Sequence, residues 1–347
     1  MKVTRARGET RMKNDIAGGD TNHRIRYNRG PKAPQTVPSM DFYPIKQVYL
    51  NGAFVAPEAA QVSAFDRGFV FGDGVYEVIP VYGGKAFRLP HHLQRLEASL
   101  AAIGLGNPLT HAEWSAVFAE LIRANSGDVQ GRTSASGGGM PGAAGDQSIY
   151  LQVTRGVAAR DHAFPKDTPA TVFAFSQPLK APDAAQLASG IAAITVPDNR
   201  WQRCDIKAIA LLPNVLLRQQ ALARGAVEAI LIRDGFLTEG AASNIFVVRA
   251  GRLLTPPRGP FILPGITRDL ILELAHAHGV DCREAAVSEA ELLNADELWM
   301  TSSTKEILPI TRLNDAPVGD GKPGPLQARF RQLYEDYKQA FRAGQAE

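Results

Sequence analysis

Alternating apolar and polar residues predict several β-strands joined by tight turns. The segment "VYLNGAFVA" predicts a hairpin that turns at Asn51–Gly52, and "VIPVYGGKAFRL" predicts a second hairpin at Gly83–Gly84. Further along the chain, "EAILIRDGFLTEG" predicts a hairpin around Asp234–Gly235. Single strands are predicted for "SIYLQVTRG", "ATVFAFSQ", "GIAAITVPD", "NIFVV" and "DELWMTSST".

Apolar residues at helical spacing predict helices between these groups of strands. A helix over 90–103 is expected to end at Gly104, and a second begins where Thr110 and Glu113 form a capping-box pattern. Three more helices are predicted over 214–224, 267–278 and 326–341. Strand clusters with separate helices, rather than a regular βαβ alternation, are typical of an α+β fold.

The order of the elements, together with a length of 347 residues, predicts two domains. A smaller N-terminal α+β domain is expected over 45–177, a linker over 178–183 and a larger C-terminal domain over 184–342. Within the first domain, residues 126–147 are a Gly/Ser-rich insertion that we interpret as a mobile loop. It contains a literal G-x-G-x-x-G, but no predicted strand precedes it and no helix follows, so we reject a dinucleotide site.

Composition and charge narrow the possible classes of protein. Residues 1–44 carry nine Lys or Arg against four Asp or Glu, so this basic tail accounts for the net charge of +3. The tail has little apolar bulk, and we expect it to be disordered; nucleic-acid binding by it is the disfavoured alternative. Met40 lies just before the first strand, so translation starting there is a further hypothesis.

The chain lacks the signals of a membrane or secreted protein. No apolar run is long enough to cross a bilayer, and the N-terminus has no signal-peptide core. Cys204 and Cys282 are the only cysteines, which gives neither a disulfide framework nor a CxxC metal pattern. The sequence therefore predicts a cytoplasmic protein without a membrane contact or a metal site.

Lys207 is the first candidate for chemistry. The chain has 11 lysines against 27 arginines, and Lys207 is the only lysine between Lys180 and Lys305. A lysine kept beside the apolar run "AIALL" suggests an amine nucleophile, a role that arginine cannot fill. A lysine that merely extends along the surface at a strand end is the alternative.

Three further groups of residues are candidates for the same site as Lys207: a carboxylate, a possible phosphate-binding segment and an arginine. Glu239 follows a strand within "TEGAASN" and could hold a heteroaromatic nitrogen protonated, although a surface turn glutamate is the alternative. "LPGITRD" leads into a helix N-terminus suited to a phosphate, and "TSST" adds hydroxyl groups, although each could be only a cap or a turn. Arg95 lies opposite the apolar stripe of its helix, so it is expected to be solvated unless it binds the phosphate.

Together these groups point to one cofactor. Pyridoxal 5′-phosphate needs a lysine for a Schiff base, a carboxylate for its ring nitrogen and a cradle for its phosphate. The combination is much more specific than any of its parts.

The sequences of several segments resemble those of the fold-type IV, or class IV, pyridoxal-phosphate aminotransferases, and within this family those of the D-amino-acid aminotransferase branch. The likeness runs from about 48 to 313, interrupted by the insertion, with Pro213, Pro264 and Ser303 as departures. It rests on "DRGFVFGDGVYEV", "LQVTRG", "RWQRCDIK", "EAILIRDGFLTEGAASN", "LPGITRD" and "DELWMTSSTKEI".

The resemblance implies a two-domain enzyme with its active site between the domains and a role for ten residues. Lys207 would be the Schiff-base lysine and proton shuttle, and Glu239 the pyridinium partner. The phosphate would be held by Arg95, Ile266, Thr267, Ser302 and Ser303. The substrate carboxylate would be bound by Tyr76 together with Arg160 and His162, the latter two from the neighbouring subunit of a homodimer.

The implied reaction is a ping-pong transamination of D-amino acids such as D-alanine with 2-oxoglutarate, which gives 2-oxo acids and D-glutamate. A branched-chain L-amino-acid aminotransferase and an aminodeoxychorismate lyase are the alternatives within the same fold. From a different class, the alternative is a pyridoxal-phosphate carrier or a nucleic-acid binder that uses the basic tail. The set Tyr76, Lys207 and Glu239 argues against a carrier, because a carrier needs neither a proton shuttle nor a substrate site.

Overall fold

The structure is a computed structural model of the chain that describes residues 45–126, 145–180 and 182–347. The basic tail over 1–44, including Met40, lies outside the described residues, and so do residues 127–144 of the insertion. Within the described residues, no helix combines the length and the apolar character needed to cross a membrane.

The first half of the chain forms a six-stranded antiparallel sheet in the order β2-β1-β6-β5-β3-β4. Its strands are β1 Val48–Leu50, β2 Ala53–Val55, β3 Gly74–Tyr82, β4 Lys85–Ala86, β5 Gln147–Thr154 and β6 Thr171–Pro178. Both hairpins predicted in this half of the chain are confirmed, since Leu50 pairs with Ala53 and Tyr82 with Lys85. The first turn has φ of 50° at Asn51 and 94° at Gly52, left-handed values that asparagine and glycine tolerate best.

Two helices cover one face of this sheet and bury its core. They are α2 Leu89–Ala102 and α3 His111–Asn125, and a shorter α1 Arg67–Phe71 and a 3₁₀ turn at Pro57–Ala59 precede β3. The predicted capping box is confirmed, because the Thr110 N–H donates to Glu113 Oε2 at 2.7 Å and the Glu113 N–H donates to Thr110 Oγ1 at 3.3 Å. The buried cluster joins alternate residues of β3 and β5 to the apolar stripes of α2 and α3, among them Ile79, Ile149, Leu96, Leu100, Trp114 and Phe118.

The second half of the chain forms a nine-stranded sheet in the order β12-β11-β10-β13-β14-β7-β8-β9, with β15 paired to β14. Its strands are β7 Ile191–Pro197, β8 Glu228–Arg233, β9 Phe236–Gly240, β10 Asn244–Arg249, β11 Arg252–Thr255, β12 Cys282–Glu284, β13 Glu297–Ser302, β14 Glu306–Leu313 and β15 Ala316–Pro317. The helices are α4 Ala184–Ser189, α5 Leu212–Ala223, α6 Ile266–Ala277, α7 Glu289–Leu293 and α8 Pro325–Arg342.

This larger sheet mixes antiparallel pairs with two parallel crossovers. The β7 and β8 strands are parallel and are connected through α5, while β11 and β12 are parallel and are connected through α6. The remaining pairs are antiparallel except β7 with β14. The predicted α+β class is confirmed, and the crossovers place α5 and α6 beside the same cavity.

Some elements differ from the sequence expectations. The α1, α4 and α7 helices were not predicted, because five or six residues are too few to show helical spacing. The β5 strand begins at Gln147, so the last residue assigned to the insertion belongs to a strand. The division into domains at 178–183 stays a prediction.

Candidate active site

Eight of the ten predicted site residues line one cavity of about 260 Å³, to which both sheets contribute. The β3 strand supplies Tyr76, the larger sheet supplies Glu239 and Ser302, and the segment before α5 supplies Lys207. The other predicted residues in the cavity wall are Arg95, Ile266, Thr267 and Ser303.

Lys207 is fixed in this cavity by its backbone. Its carbonyl accepts the Tyr76 N–H at 3.0 Å, and its own N–H donates to Ser99 Oγ at 3.2 Å. The Ile209 N–H donates to the Gly74 carbonyl at 3.1 Å, so the segment runs along β3 as a short bridge. The Nζ atom lies 4.1 Å from the centre of the Tyr76 ring. Lys207 therefore faces a cavity, whereas the alternative interpretation had it extend along the surface.

Glu239 is a buried strand residue with an exposed fraction of 5 %, so the alternative of a surface turn glutamate is wrong. Its Oε1 accepts from Arg200 Nη1 at 2.5 Å, and its Oε2 accepts the Leu263 N–H at 3.0 Å. Burial raises the pKa of Glu239 to about 7, although Arg200 acts to lower it. Arg200 also donates hydrogen bonds to Asp198. The cavity wall thus carries a buried carboxyl group that is held in place by Arg200 and by the Leu263 N–H.

Arg95 does not lie on a solvated face, which corrects the expectation from its helix pattern. Its exposed fraction is 7 %, and its Nε and Nη2 each donate to Glu77 at 2.8 Å. Its Nη1 donates to the Pro264 carbonyl at 2.9 Å, and His92 Nδ1 lies 2.8 Å from the same Glu77 carboxylate. The burial of α2 against β3 on this side brings the arginine into contact with a strand carboxylate that the helix pattern does not reveal.

Burial alone would raise the pKa of Glu77, but Arg95 and the hydrogen bond with His92 outweigh it and hold that pKa well below its usual range. Glu77 therefore stays ionised and keeps the guanidinium of Arg95 at the loop that precedes α6. Arg95 lines the cavity from this fixed position.

The N-terminus of α6 offers a place for a phosphate. Gly265 is its N-cap and makes no side-chain capping bond, and Ile266 and Thr267 begin the helix at the cavity wall. Free N–H groups of a first helical turn, with a helix dipole behind them, bind anions. Ser302 and Ser303 line the same cavity, and the buried Thr301 Oγ1 has no hydrogen-bond partner among the described residues. This donor set fits a phosphate dianion.

Sequence reasoning missed several polar residues of the cavity, among them Arg200, Asn244 and Arg218. Arg200 contacts Glu239, and Asn244 Nδ2 donates to the Leu263 carbonyl at 2.9 Å and to Glu239 Oε2 at 3.2 Å. Arg200 lies in "RWQRCDIK", the segment of Lys207, and Asn244 lies in "TEGAASN", the segment of Glu239. A polar residue in the same motif as a predicted site residue was therefore the signal that could have identified them. Arg218 on α5 also lines the cavity, and no motif marks it.

Arg160 and His162 do not reach the cavity of their own chain. Both are exposed in the segment between β5 and β6. The Arg160 guanidinium carbon lies 5.2 Å from the centre of the Phe71 ring, and the His162 ring lies 5.4 Å from it. They were expected to serve a neighbouring subunit, which a single chain does not test.

Comparisons with known proteins agree on one family. The family described as amino-transferase class IV matches residues 74–313. A D-alanine aminotransferase of Bacillus licheniformis is 41% identical over 280 residues, which cover 81% of this chain and 93% of the relative.

Solved structures of branched-chain amino acid aminotransferases share the fold. The Escherichia coli structure has a TM-score of 0.76 at 27% identity and covers 87% of this chain and 96% of its own. The structure of the Thermoproteus uzoniensis enzyme with norvaline has a TM-score of 0.71 at 28% identity, with coverages of 87% and 96%.

Proposed function

The chain belongs to the class IV aminotransferases, and on that premise we propose that it transfers the amino group of D-amino acids such as D-alanine to 2-oxoglutarate. The products are 2-oxo acids and D-glutamate. The observation that carries the proposal is the convergence of Lys207, Glu239 and a phosphate-binding helix end on one cavity. The D-alanine aminotransferase relative, 41% identical, supports the choice of D-amino acids.

The residues present fit pyridoxal 5′-phosphate, the cofactor of this family. Arg95, Ser302, Ser303 and the first turn of α6, with Ile266 and Thr267, would hold its phosphate. Glu239 would hydrogen-bond its ring nitrogen, and Lys207 would carry it through the ε-amino group. When bound, the cofactor supplies an electron sink for the charge that develops on the substrate Cα.

Lys207 is the residue to which we assign proton transfer. It supplies an amine to the cavity wall, and we assign to it removal of the proton from the substrate Cα. The face of Tyr76, 4.1 Å from Nζ, limits the positions that this amine can take. One cavity serves donor and acceptor in turn, so the kinetics are ping-pong.

The carboxylate of the substrate requires a second copy of the chain in this proposal. Tyr76 lies in the cavity, and Arg160 and His162 of the partner subunit would complete the binding site in a homodimer. Exposed aromatic residues near the Arg160 segment support this, because Phe69 has an exposed fraction of 79 % and Phe65 and Phe164 are also exposed. Apolar side chains at that density favour burial in an interface.

The test is a product assay with a chiral readout. Purified protein with pyridoxal 5′-phosphate and 2-oxoglutarate receives either D-alanine or L-leucine, and the glutamate enantiomers are separated by chromatography. D-glutamate formed from D-alanine supports the proposal. L-glutamate formed from L-leucine alone would favour the branched-chain alternative, to which the structural likeness with the Escherichia coli enzyme points.

A cytoplasmic location is part of the same proposal. The two cysteines, Cys204 and Cys282, are free thiols, as expected for a reducing compartment. Cell fractionation tests it: activity that follows a cytoplasmic marker supports it, and activity in the exported fraction contradicts it.

A further inference from the structure

Three arginines line the cavity, and carboxylates neutralise two of them. Arg95 is paired with Glu77, and Arg200 is paired with Asp198 and Glu239. Arg218 forms neither a salt bridge nor a side-chain hydrogen bond with any residue in the described parts of the chain. A half-buried guanidinium that faces a cavity without a carboxylate is a receptor for an anion.

The local fold fixes Arg218 toward the cavity. It lies on α5 one or two turns beyond Leu211, Asn214 and Val215, and these residues line the cavity along the same helical face. Asn214 Nδ2 donates to the Ala241 carbonyl at 2.8 Å, which ties this face of α5 to the turn between β9 and β10. The position of Arg218 therefore follows from the packing of the helix.

A second cation adjoins the cavity wall. Lys305 is half-buried just after Ser302 and Ser303, and its backbone N–H donates to Ser302 Oγ at 3.2 Å. Burial lowers the pKa of Lys305, and the positive charge of Arg218 lowers it further.

One carboxylate, Glu228, interacts electrostatically with both of these cations. Glu228 is fully buried and forms no salt bridge with either cation. It accepts instead from Ser243 Oγ at 2.9 Å and from the Ala229 N–H at 3.0 Å. Burial raises the pKa of Glu228 against the lowering effects of Arg218 and Lys305, and one carboxylate against two cations leaves the region with an excess of positive charge.

We propose that Arg218, assisted by Lys305, binds the second carboxylate of dicarboxylic substrates and thereby favours 2-oxoglutarate over monocarboxylic 2-oxo acids as the amino-group acceptor. The inference rests on the proposed function, in which Tyr76 and the partner subunit take the α-carboxylate. A dicarboxylate brings another negative charge that needs its own cation. The predicted phosphate site uses α2, α6 and β13, whereas Arg218 comes from α5.

The test compares ligands that differ by one carboxylate. The holoenzyme is titrated by calorimetry with glutarate and with pentanoate, which have the same number of carbons. The same proteins are assayed for kcat/KM with 2-oxoglutarate and 2-oxopentanoate, and their affinity for pyridoxal 5′-phosphate is measured. The variants are Arg218→Gln and Lys305→Gln. Arg224→Gln is the matched control, because Arg224 is exposed at the end of α5 and does not line the cavity.

Arg218→Gln should weaken glutarate binding and lower kcat/KM for 2-oxoglutarate relative to 2-oxopentanoate by about 10- to 100-fold. Lys305→Gln should give a smaller change of the same sign, and Arg224→Gln none. The proposal would be overturned if Arg218→Gln changed neither the affinity for glutarate relative to pentanoate nor the kcat/KM for 2-oxoglutarate relative to 2-oxopentanoate. A loss of cofactor affinity with equal loss for both oxo acids would also overturn it and would assign Arg218 to the phosphate. A wild-type protein without transaminase activity refutes the proposed function, while the glutarate titration still tests Arg218.

Discussion

Replacing Glu77 with glutamine should destabilise the protein strongly, because its carboxylate compensates a buried positive charge. Three nitrogen atoms contact Glu77 at 2.8 Å, two from Arg95 and one from His92. Glutamine keeps the shape of the side chain but removes the charge and turns one acceptor into a donor that faces the guanidinium. Removing one partner of a buried pair costs about 3–5 kcal/mol.

The assay is thermal unfolding followed by circular dichroism at pH 7, with saturating cofactor for all proteins. That cost corresponds to a decrease of roughly 4–7 °C in Tm for a chain of this size. The control is Glu120→Gln, which makes the same chemical change in an exposed pair with Arg123 and should leave Tm almost unchanged. Equal melting of wild type and Glu77→Gln would refute the reasoning that Arg95 depends on Glu77.

The effect of Glu77→Gln on Tm should also depend on pH. The pKa of Glu77 in the folded protein is held well below its usual value of 4.5. The ionised Glu77 therefore stabilises the fold fully above about pH 4.5, and this stabilisation is lost as the pH falls toward the folded-state pKa. The Tm difference between wild type and Glu77→Gln should therefore narrow below about pH 4.5. A difference that widens in acid would contradict the assigned direction of the pKa shift.

Three further substitutions test the assigned roles. Lys207→Ala should lower kcat by at least about 100-fold while the protein still binds the cofactor noncovalently, as equilibrium dialysis can show; near-normal turnover is incompatible with the scheme. Arg160→Ala should raise KM for the amino acid about 10- to 100-fold with little effect on cofactor affinity, and an unchanged KM removes it from the carboxylate site. Glu239→Gln should lower kcat by about 100-fold or more, and an unaffected kcat would show that a charged partner for the ring nitrogen is not needed.

Local signals in the sequence were sufficient for most of the secondary structure. Asn51–Gly52 and the Thr110–Glu113 pair act through their immediate neighbours, so the turn and the helix start could be read directly. The parallel pairing of β7 with β8 could not be read in this way, because it depends on residues more than 30 positions apart. Long-range pairing of this kind is decided by packing and not by local preference.

The candidate site was predictable where each residue type has a chemical reason of its own. Lys207 and Glu239 stood out because a lone lysine and an acid among small residues are unusual choices. The environment of Arg95 was not predictable, since its partner Glu77 lies 18 residues earlier on a different element. That Arg218 has no salt-bridge partner among the described residues likewise becomes visible only when the cavity wall is assembled.

The most direct test of the central claim is the visible spectrum of the purified protein with pyridoxal 5′-phosphate, titrated separately with D-alanine and with L-leucine. If Lys207 holds the cofactor and the site selects D-amino acids, D-alanine should bleach the absorption band of the bound cofactor and L-leucine should not. Bleaching by L-leucine alone would contradict the substrate assignment. The absence of any band on the protein, after cofactor has been added and the unbound cofactor removed, would contradict the role of Lys207.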